Sequence, residues 1–330
     1  MKYSFIIPVY NRPDEIDELL ESMTYFQSQI PYEVLVIEDG STLPCRDVVE
    51  KYQDKLTIHY YLKPNSGPGR SRNYGMQKAY GDYFIILDSD CILPPHYLTA
   101  VDTYLQKHPV DCFGGRDAAH KSFSSVQKAI NSVMTSFFTT GGIRGASEKI
   151  GKFQPRSFNM GISKKAFIAT GGFNNIHPGE DPELTMKLWD LGFQTALIYD
   201  AYVYHKRRID WKKFYVQVHK FGKARPILNH RFPKYKKAIF WLPTIYIAGV
   251  IFSLISLAFT PIFFCILIAF NSLVFIESTI NNRSFYIGLL TIIALQIQFF
   301  GYGWGFLKST YFIEIQKRKP EDAMPEMFFK

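Results

Sequence analysis

Short apolar runs alternate with amphipathic stretches through the first two thirds of the chain. Tyr3 to Val9 reads as a buried strand. Asn11, Pro13, Asp14 and Glu15 then open a helix, where caps and negative charge are favoured. Ile16, Leu19, Leu20 and Met23 follow at i, i+3, i+4 and i+7 and give that helix one buried face. Further strands are expected at Glu33 to Ile37, Leu56 to Tyr61, Tyr83 to Leu87 and Leu197 to Tyr204, with a helix from Gly67 to Tyr80. Strands alternating with helices predict an α/β fold with a mostly parallel, Rossmann-like sheet and right-handed crossovers. In such a sheet the polar residues that end successive strands gather along one edge. Here these are Tyr10 and Asn11, Asp39, and Asp88 with Asp90.

The pattern changes near residue 238. Ala238 to Phe259 and Phe285 to Leu307 are each long enough to span a bilayer and carry no charged residue. They are apolar all round, unlike surface helices of soluble proteins. Pro261 to Ile276 is shorter, and Asn271 and Glu277 lie in or near it. It could be a third span, a tight hairpin return or a re-entrant piece, and the charges of the tail favour two true spans with this stretch in the interface or re-entering. The tail residues Lys308, Lys317, Arg318 and Lys319 place the C-terminus inside under the same reading.

Charge sharpens the division. The chain's net charge is +9, yet Tyr202 to Lys237 holds twelve Lys and Arg against Asp210 alone. A basic run just before an apolar segment marks the cytoplasmic side and suits anionic headgroups, so membrane lipids and not nucleic acid are the expected partner. Trp211, Phe214, Val218 and Phe221 fall on one helical face, which predicts an amphipathic interfacial helix. The four cysteines are scattered without metal-ligand spacing, which fits a reducing compartment. No basic n-region followed by an apolar h-region opens the chain, so no secretory signal is expected.

Asp88-Ser89-Asp90 carries the most chemical information. Two carboxylates at the carboxyl end of a buried parallel strand sit where open α/β sheets bind ligands. Hard divalent cations take oxygen ligands, and Mg²⁺ is commonly held by one or two carboxylates together with substrate phosphates. The pair therefore suggests a metal-bridged diphosphate. Gly67-Pro68-Gly69 resembles a phosphate loop without Walker A spacing.

Phe5-Ile6-Ile7-Pro8-Val9-Tyr10-Asn11, Val36-Ile37-Glu38-Asp39-Gly40-Ser41, Arg72-Asn73 and Leu87-Asp88-Ser89-Asp90 come in the order seen in family 2 glycosyltransferases. The resemblance continues through Asn159-Met160-Gly161, Gly171-Gly172-Phe173 and Gly179-Glu180-Asp181-Pro182-Glu183-Leu184, covering roughly residues 1 to 225. It implies a GT-A fold and transfer of a sugar from a nucleotide diphosphate with inversion. It further implies that Asp39 binds the base with Pro8, Tyr10 and Asn11 around it, and that Arg70 and Arg72 lie near the diphosphate. Asp88 and Asp90 would hold Mn²⁺ or Mg²⁺, with His205 as a further metal ligand. Asp181 would be the base that deprotonates the acceptor, with Asn159 and Glu180 on the acceptor side. Three departures from the family pattern stand out: Glu38-Asp39 in place of Asp-Asp, Lys187 in place of Arg, and Gln217-Val218-His219-Lys220-Phe221 in place of Gln-x-x-Arg-Trp. The last speaks against a processive synthase.

The expected organisation is a GT-A domain over 1–225, a basic interfacial segment over 205–237, apolar helices over 238–307 and a basic tail over 308–330. The function the resemblance implies is a cytoplasm-facing, membrane-anchored transferase acting on a nucleotide-diphosphate sugar, expected to be a UDP-sugar, with a lipid-linked or other cell-envelope glycan acceptor. The alternatives are a processive polysaccharide synthase, a nucleotidyltransferase and a non-catalytic sugar-nucleotide-binding subunit.

Overall fold

The apolar runs become the centre of a mixed sheet. The computed structural model describes residues 2–118, 123–140, 153–205 and 210–329. Its strands are β1 (Tyr3–Val9), β2 (Tyr32–Asp39), β3 (Ile58–Lys63), β4 (Tyr83–Leu87), β5 (Cys91–Ile92), β6 (Cys112–Ala118), β7 (Asn159–Ser163) and β8 (Thr195–His205). They are ordered β3-β2-β1-β4-β7-β6-β8-β5. β3, β2, β1 and β4 run parallel, and β7 joins β4 antiparallel. β6 is parallel to β8, and β5 closes the edge antiparallel to β8. The strand ends at Val9, Asp39 and Leu87 therefore share one edge, as the alternation predicts.

Helices cover both faces. α1 (Pro13–Met23), α2 (Arg46–Glu50), α3 (Pro68–Lys78) and α4 (Tyr97–Lys107) alternate with the first strands. Phe5, Ile7 and Val9 of β1 pack with Ile16, Leu19 and Leu20 of α1 and with Leu98 and Val101 of α4. Ile6 points to the other face, with Met76 of α3. Strands buried on both sides must be apolar on both sides, which is why they read as runs and not as alternations.

The chain divides into two compact units, residues 1–120, 151–207 and 329–330 in one, 121–150 and 208–328 in the other. The helices over residues 125–135 and 137–140, which precede β7 in the chain, group with the apolar helices in the second unit. The second unit contains α5 (Ser125–Thr135), α6 (Phe137–Thr140), then, after α7 (Lys164–Thr170) and α8 (Glu180–Asp190) of the first unit, α9 (Trp211–Arg231), α10 (Leu242–Ser256), α11 (Ile262–Asn282) and α12 (Phe285–Thr310). Its core joins Ile130 and Val133 of α5, Phe214 and Val218 of α9, Val274 of α11 and Leu295 and Phe299 of α12. The apolar face expected to lie in a lipid interface is thus spent on packing within this unit. Gly222 of α9 and Gly305 of α12 leave no space for a Cβ, which would strike the backbone carbonyls of Tyr302 and His219.

Three helices are long and apolar enough to cross a membrane: Ala238–Ser256, Ile262–Asn282 and Phe285–Ile315. The middle one corrects the expectation of a short piece, for it runs 21 residues. Its polar residues do not end it, because they have partners. Asn271 Oδ1 accepts from Gln296 Nε2 at 2.8 Å, and the Glu277 carboxylate accepts from Ser136 Oγ. The first two helices bury only 11% of their apolar windows within the protein, against 39% for the third, so α12 is the inner helix and α10 and α11 the outer ones. If all three cross, the two ends of the helical series face opposite sides. With residues 1–118 on the cytoplasmic side, as expected from the sequence, a reporter fused after Lys330 should then be active only outside the cytoplasm, and cytoplasmic activity would restore the two-span arrangement.

Candidate active site

The site lies at the shared carboxyl edge of β1, β2 and β4, where Arg72 ties the segments together. Arg72 sits one turn into α3 and is 3% exposed. Its Nη2 donates to Asp88 Oδ1 at 2.9 Å and its Nη1 to Glu180 Oε1 at 3.1 Å. The end of β4 is thereby joined to the start of α8. Burial opposes the guanidinium's charge, but Asp88, Glu180 and Asp181 outweigh it and raise the pKa above the ordinary arginine value. Phe173 covers the guanidinium with its ring centroid 5.4 Å away.

Glu180 and Asp181 are neighbours with opposite environments. Burial acts to raise the Glu180 pKa, but the hydrogen bond and charge of His177, with Arg72, hold it below the ordinary range. His177 Nδ1 lies 3.0 Å from Glu180 Oε1, and Gly179 N donates to Oε2 at 3.0 Å. Burial and the Glu180 charge push Asp181 above the ordinary range. Asp181 Oδ2 accepts from Ser157 N at 3.1 Å, while Oδ1 is shielded and has no hydrogen-bond partner among the described residues. Two adjacent carboxylates whose environments drive their pKa values apart are suited to different roles, Glu180 as a fixed charge and Asp181 as a proton acceptor.

Asp88 and Asp90 each carry an arginine. The Arg72–Asp88 pair is mostly enclosed, with side-chain exposures of 4% and 33%. Arg12 Nη1 meets Asp90 Oδ2 at 2.9 Å, with Arg12 47% exposed. In that second pair the arginine is the exposed member, for the Asp90 side chain is 13% exposed. The carboxylates fit a divalent cation as hard, partly accessible oxygen donors. No cluster of three His, Cys, Asp or Glu that could hold a metal occurs among the described residues, so phosphate oxygens and water would complete the coordination. His205 ends β8 and is paired through its backbone with Cys91, the residue after Asp90. Its side chain lies outside the described part.

The expected base pocket is assembled in part. Asp39 is 4% exposed and accepts from Ser66 N and Gly67 N, both at 3.0 Å, and from Lys63 Nζ. Asn11 Oδ1 accepts from Thr42 N at 2.8 Å and Leu43 N at 2.9 Å, so its amide shapes the loop after β2. Tyr10 is 51% exposed beside it, and Pro8 precedes both on β1. Arg70 is exposed on α3. Glu38 turns away and binds Cys45 N at 2.7 Å and Ser41 Oγ.

Asn159 does not face the cleft. It is fully buried, accepts from Tyr97 OH at 2.6 Å and donates to Ala201 O at 2.8 Å. It is a tie between α4 and β8, which removes it from the acceptor side. The sequence alone does not single out Lys63, Arg12 or His177. Their partners lie 24, 78 and three residues away, and only the last separation is visible as a local pattern.

With this geometry in place, the family model for glycosyl transferase family 2 matches residues 4–169, just over half of the 330 residues. This chain belongs to glycosyl transferase family 2. The poly(ribitol-phosphate) β-N-acetylglucosaminyltransferase TarS of Staphylococcus aureus is 35% identical over 116 residues, covering 34% of this chain and 20% of TarS. The match thus spans about a fifth of that relative's length. The crystal structure of TarS 1-349 with UDP-GlcNAc aligns over 96% of this chain and 93% of that one, with TM-score 0.50 and 19% identity. The mannosyltransferase PcManGT from Pyrobaculum calidifontis, in complex with GDP-Man and Mn²⁺, aligns over 98% and 83%, with TM-score 0.53 and 13% identity. At these identities the structures report the fold alone, and that fold is the GT-A type expected from the sequence.

Proposed function

We propose that this member of the family is a membrane-anchored, metal-dependent, inverting glycosyltransferase. It would transfer a sugar from a nucleotide diphosphate, a UDP-sugar, to a lipid-linked saccharide or other cell-envelope glycan precursor. The observation that carries this reading is the Arg72 hub, which gathers Asp88, Glu180 and Asp181 at the strand edge. The UDP-GlcNAc complex of TarS supports the uridine donor, and TarS's polymer substrate supports an envelope acceptor. The basic segment and apolar helices support a cytoplasm-facing membrane protein.

In this mechanism Asp181 removes the acceptor hydroxyl proton as that oxygen attacks the anomeric carbon. The new carbon–oxygen bond forms opposite the bond to the diphosphate, which breaks, and the nucleoside diphosphate leaves with the electron pair. Arg72 orients Asp88 and Glu180 during the step. A divalent cation, held by Asp88 and Asp90 when bound, supplies Lewis acidity to the leaving diphosphate.

A donor screen with Mn²⁺ and membrane lipid extract tests the proposal. Transfer from a UDP-sugar is expected, with loss in EDTA and in Asp90→Asn. Full activity in EDTA would overturn the metal role. Donor binding without transfer or Asp181-dependent donor hydrolysis would favour the non-catalytic subunit.

A further inference from the structure

Arg12 breaks a local rule. It occupies the N-cap of α1, where Ser, Thr, Asp or Asn is favoured, and its side chain makes no capping hydrogen bond. A cation there also faces the positive end of the helix dipole. Arg12 is therefore not placed to serve its helix. The residue before it is Asn11, a non-glycine residue in the left-handed region at φ 54°. Asn11 is pinned there by Ser41 Oγ at 2.8 Å on its N–H, and by Thr42 and Leu43 on its side chain. A strained turn fixed in this way sends Arg12 across to Asp90, 78 residues later.

The two arginine–aspartate pairs differ in permanence. Arg72 is enclosed and bound at the same time to Glu180, so Asp88 keeps its partner. Arg12 is half exposed and has Asp90 as its one ion-pair partner among the described residues. A divalent cation concentrates twice the charge and displaces such a guanidinium from a carboxylate. A displaced guanidinium would be free to pair with the oxygens of a diphosphate bound at the same strand edge, since arginine makes charge-assisted hydrogen bonds to phosphate as well as to carboxylate.

We propose that Arg12 is an exchangeable cation of the donor site: it neutralises Asp90 while the site lacks donor, and moves to the diphosphate when a metal takes Asp90. Metal and nucleotide would then bind cooperatively, since metal alone must displace Arg12 and nucleotide gives Arg12 its new partner. This inference rests on the donor-site reading above, and it concerns the order and coupling of binding and not the chemistry of transfer.

The test uses the full chain in detergent, with Mn²⁺ binding read by electron paramagnetic resonance and UDP binding by calorimetry. Arg12→Gln should bind Mn²⁺ alone about fivefold more tightly than the wild type, and UDP without metal about fivefold more weakly. Mn²⁺ affinity should therefore rise less on adding UDP than it does in the wild type. Arg12→Lys, which retains the charge, should stay close to the wild type, and thermal melting of both variants checks the fold. Unchanged Mn²⁺ and UDP affinities in Arg12→Gln, or weaker Mn²⁺ binding without nucleotide, would overturn the proposal. Failure of the wild type to bind UDP at any metal concentration would instead overturn the uridine donor, while the comparison with Mn²⁺ alone would still decide whether Arg12 guards Asp90.

Discussion

Asp181→Asn should lower the transfer rate about 10²–10⁴-fold, the range general base catalysis contributes, while UDP-sugar affinity stays near that of the wild type. The proton comes from the acceptor, so the donor has no direct stake in this carboxylate. The pH dependence follows from the same environment. Burial and the neighbouring Glu180 push the Asp181 pKa up to about 6. A base must be ionised to act, so the rate should rise with pH through about 6 and flatten above it. It should fall below that point, well above where an ordinary aspartate would lose its charge. A rate already flat from pH 5 upward, or a mutant that loses donor affinity and keeps turnover, would remove Asp181 from the role of base.

Arg72→Met should be the most destabilising single change at the site. It leaves Asp88 and Glu180 without their shared cation, and stranding one partner of a buried pair costs about 3–5 kcal/mol. For a unit of this size that corresponds to a melting temperature lower by about 10 °C. Arg72→Lys should recover only part of the loss, because one ammonium cannot supply two nitrogens in the fork geometry that reaches both carboxylates. Melting of the detergent-solubilised protein checks this directly. An unchanged melting temperature for the methionine variant would mean that the Arg72 network is not held together as described.

The sequence made the sheet legible for a physical reason. Strands buried on both faces need continuous apolar runs, and β1, β2 and β4 have them. Once those strands are parallel, Asp39 and Asp88 must reach the same edge. The other half of the sheet was harder to see. β6 contains Gly114, Gly115, Arg116 and Asp117, and its pairing with β7 and β8 depends on distant contacts. The site was legible as a set of residue types but not as a set of partners. Glu180 is expected on the acceptor side, but no local pattern shows that it also secures Arg72 across 108 residues of chain. Asn159 belongs to a polar motif, yet whether an amide faces a cleft or the interior is settled by Tyr97 and Ala201, which no local pattern announces. The middle apolar helix looks short in the sequence for a related reason. Asn271 and Glu277 look like interruptions until Gln296 and Ser136 are found beside them.

The glycines at 222 and 305 set how this protein's descent can be traced. The family model stops at residue 169, and beyond it the apolar helices offer little to align, because one exposed apolar residue substitutes for another at small cost. The seam between α9 and α12 has no such freedom, since a methyl group at either glycine meets backbone. A distant chain that shares this helical unit should therefore be anchored on that glycine pair before its apolar positions are compared. A chain with bulky residues at both positions would have to space the two helices differently, whatever its catalytic half looks like.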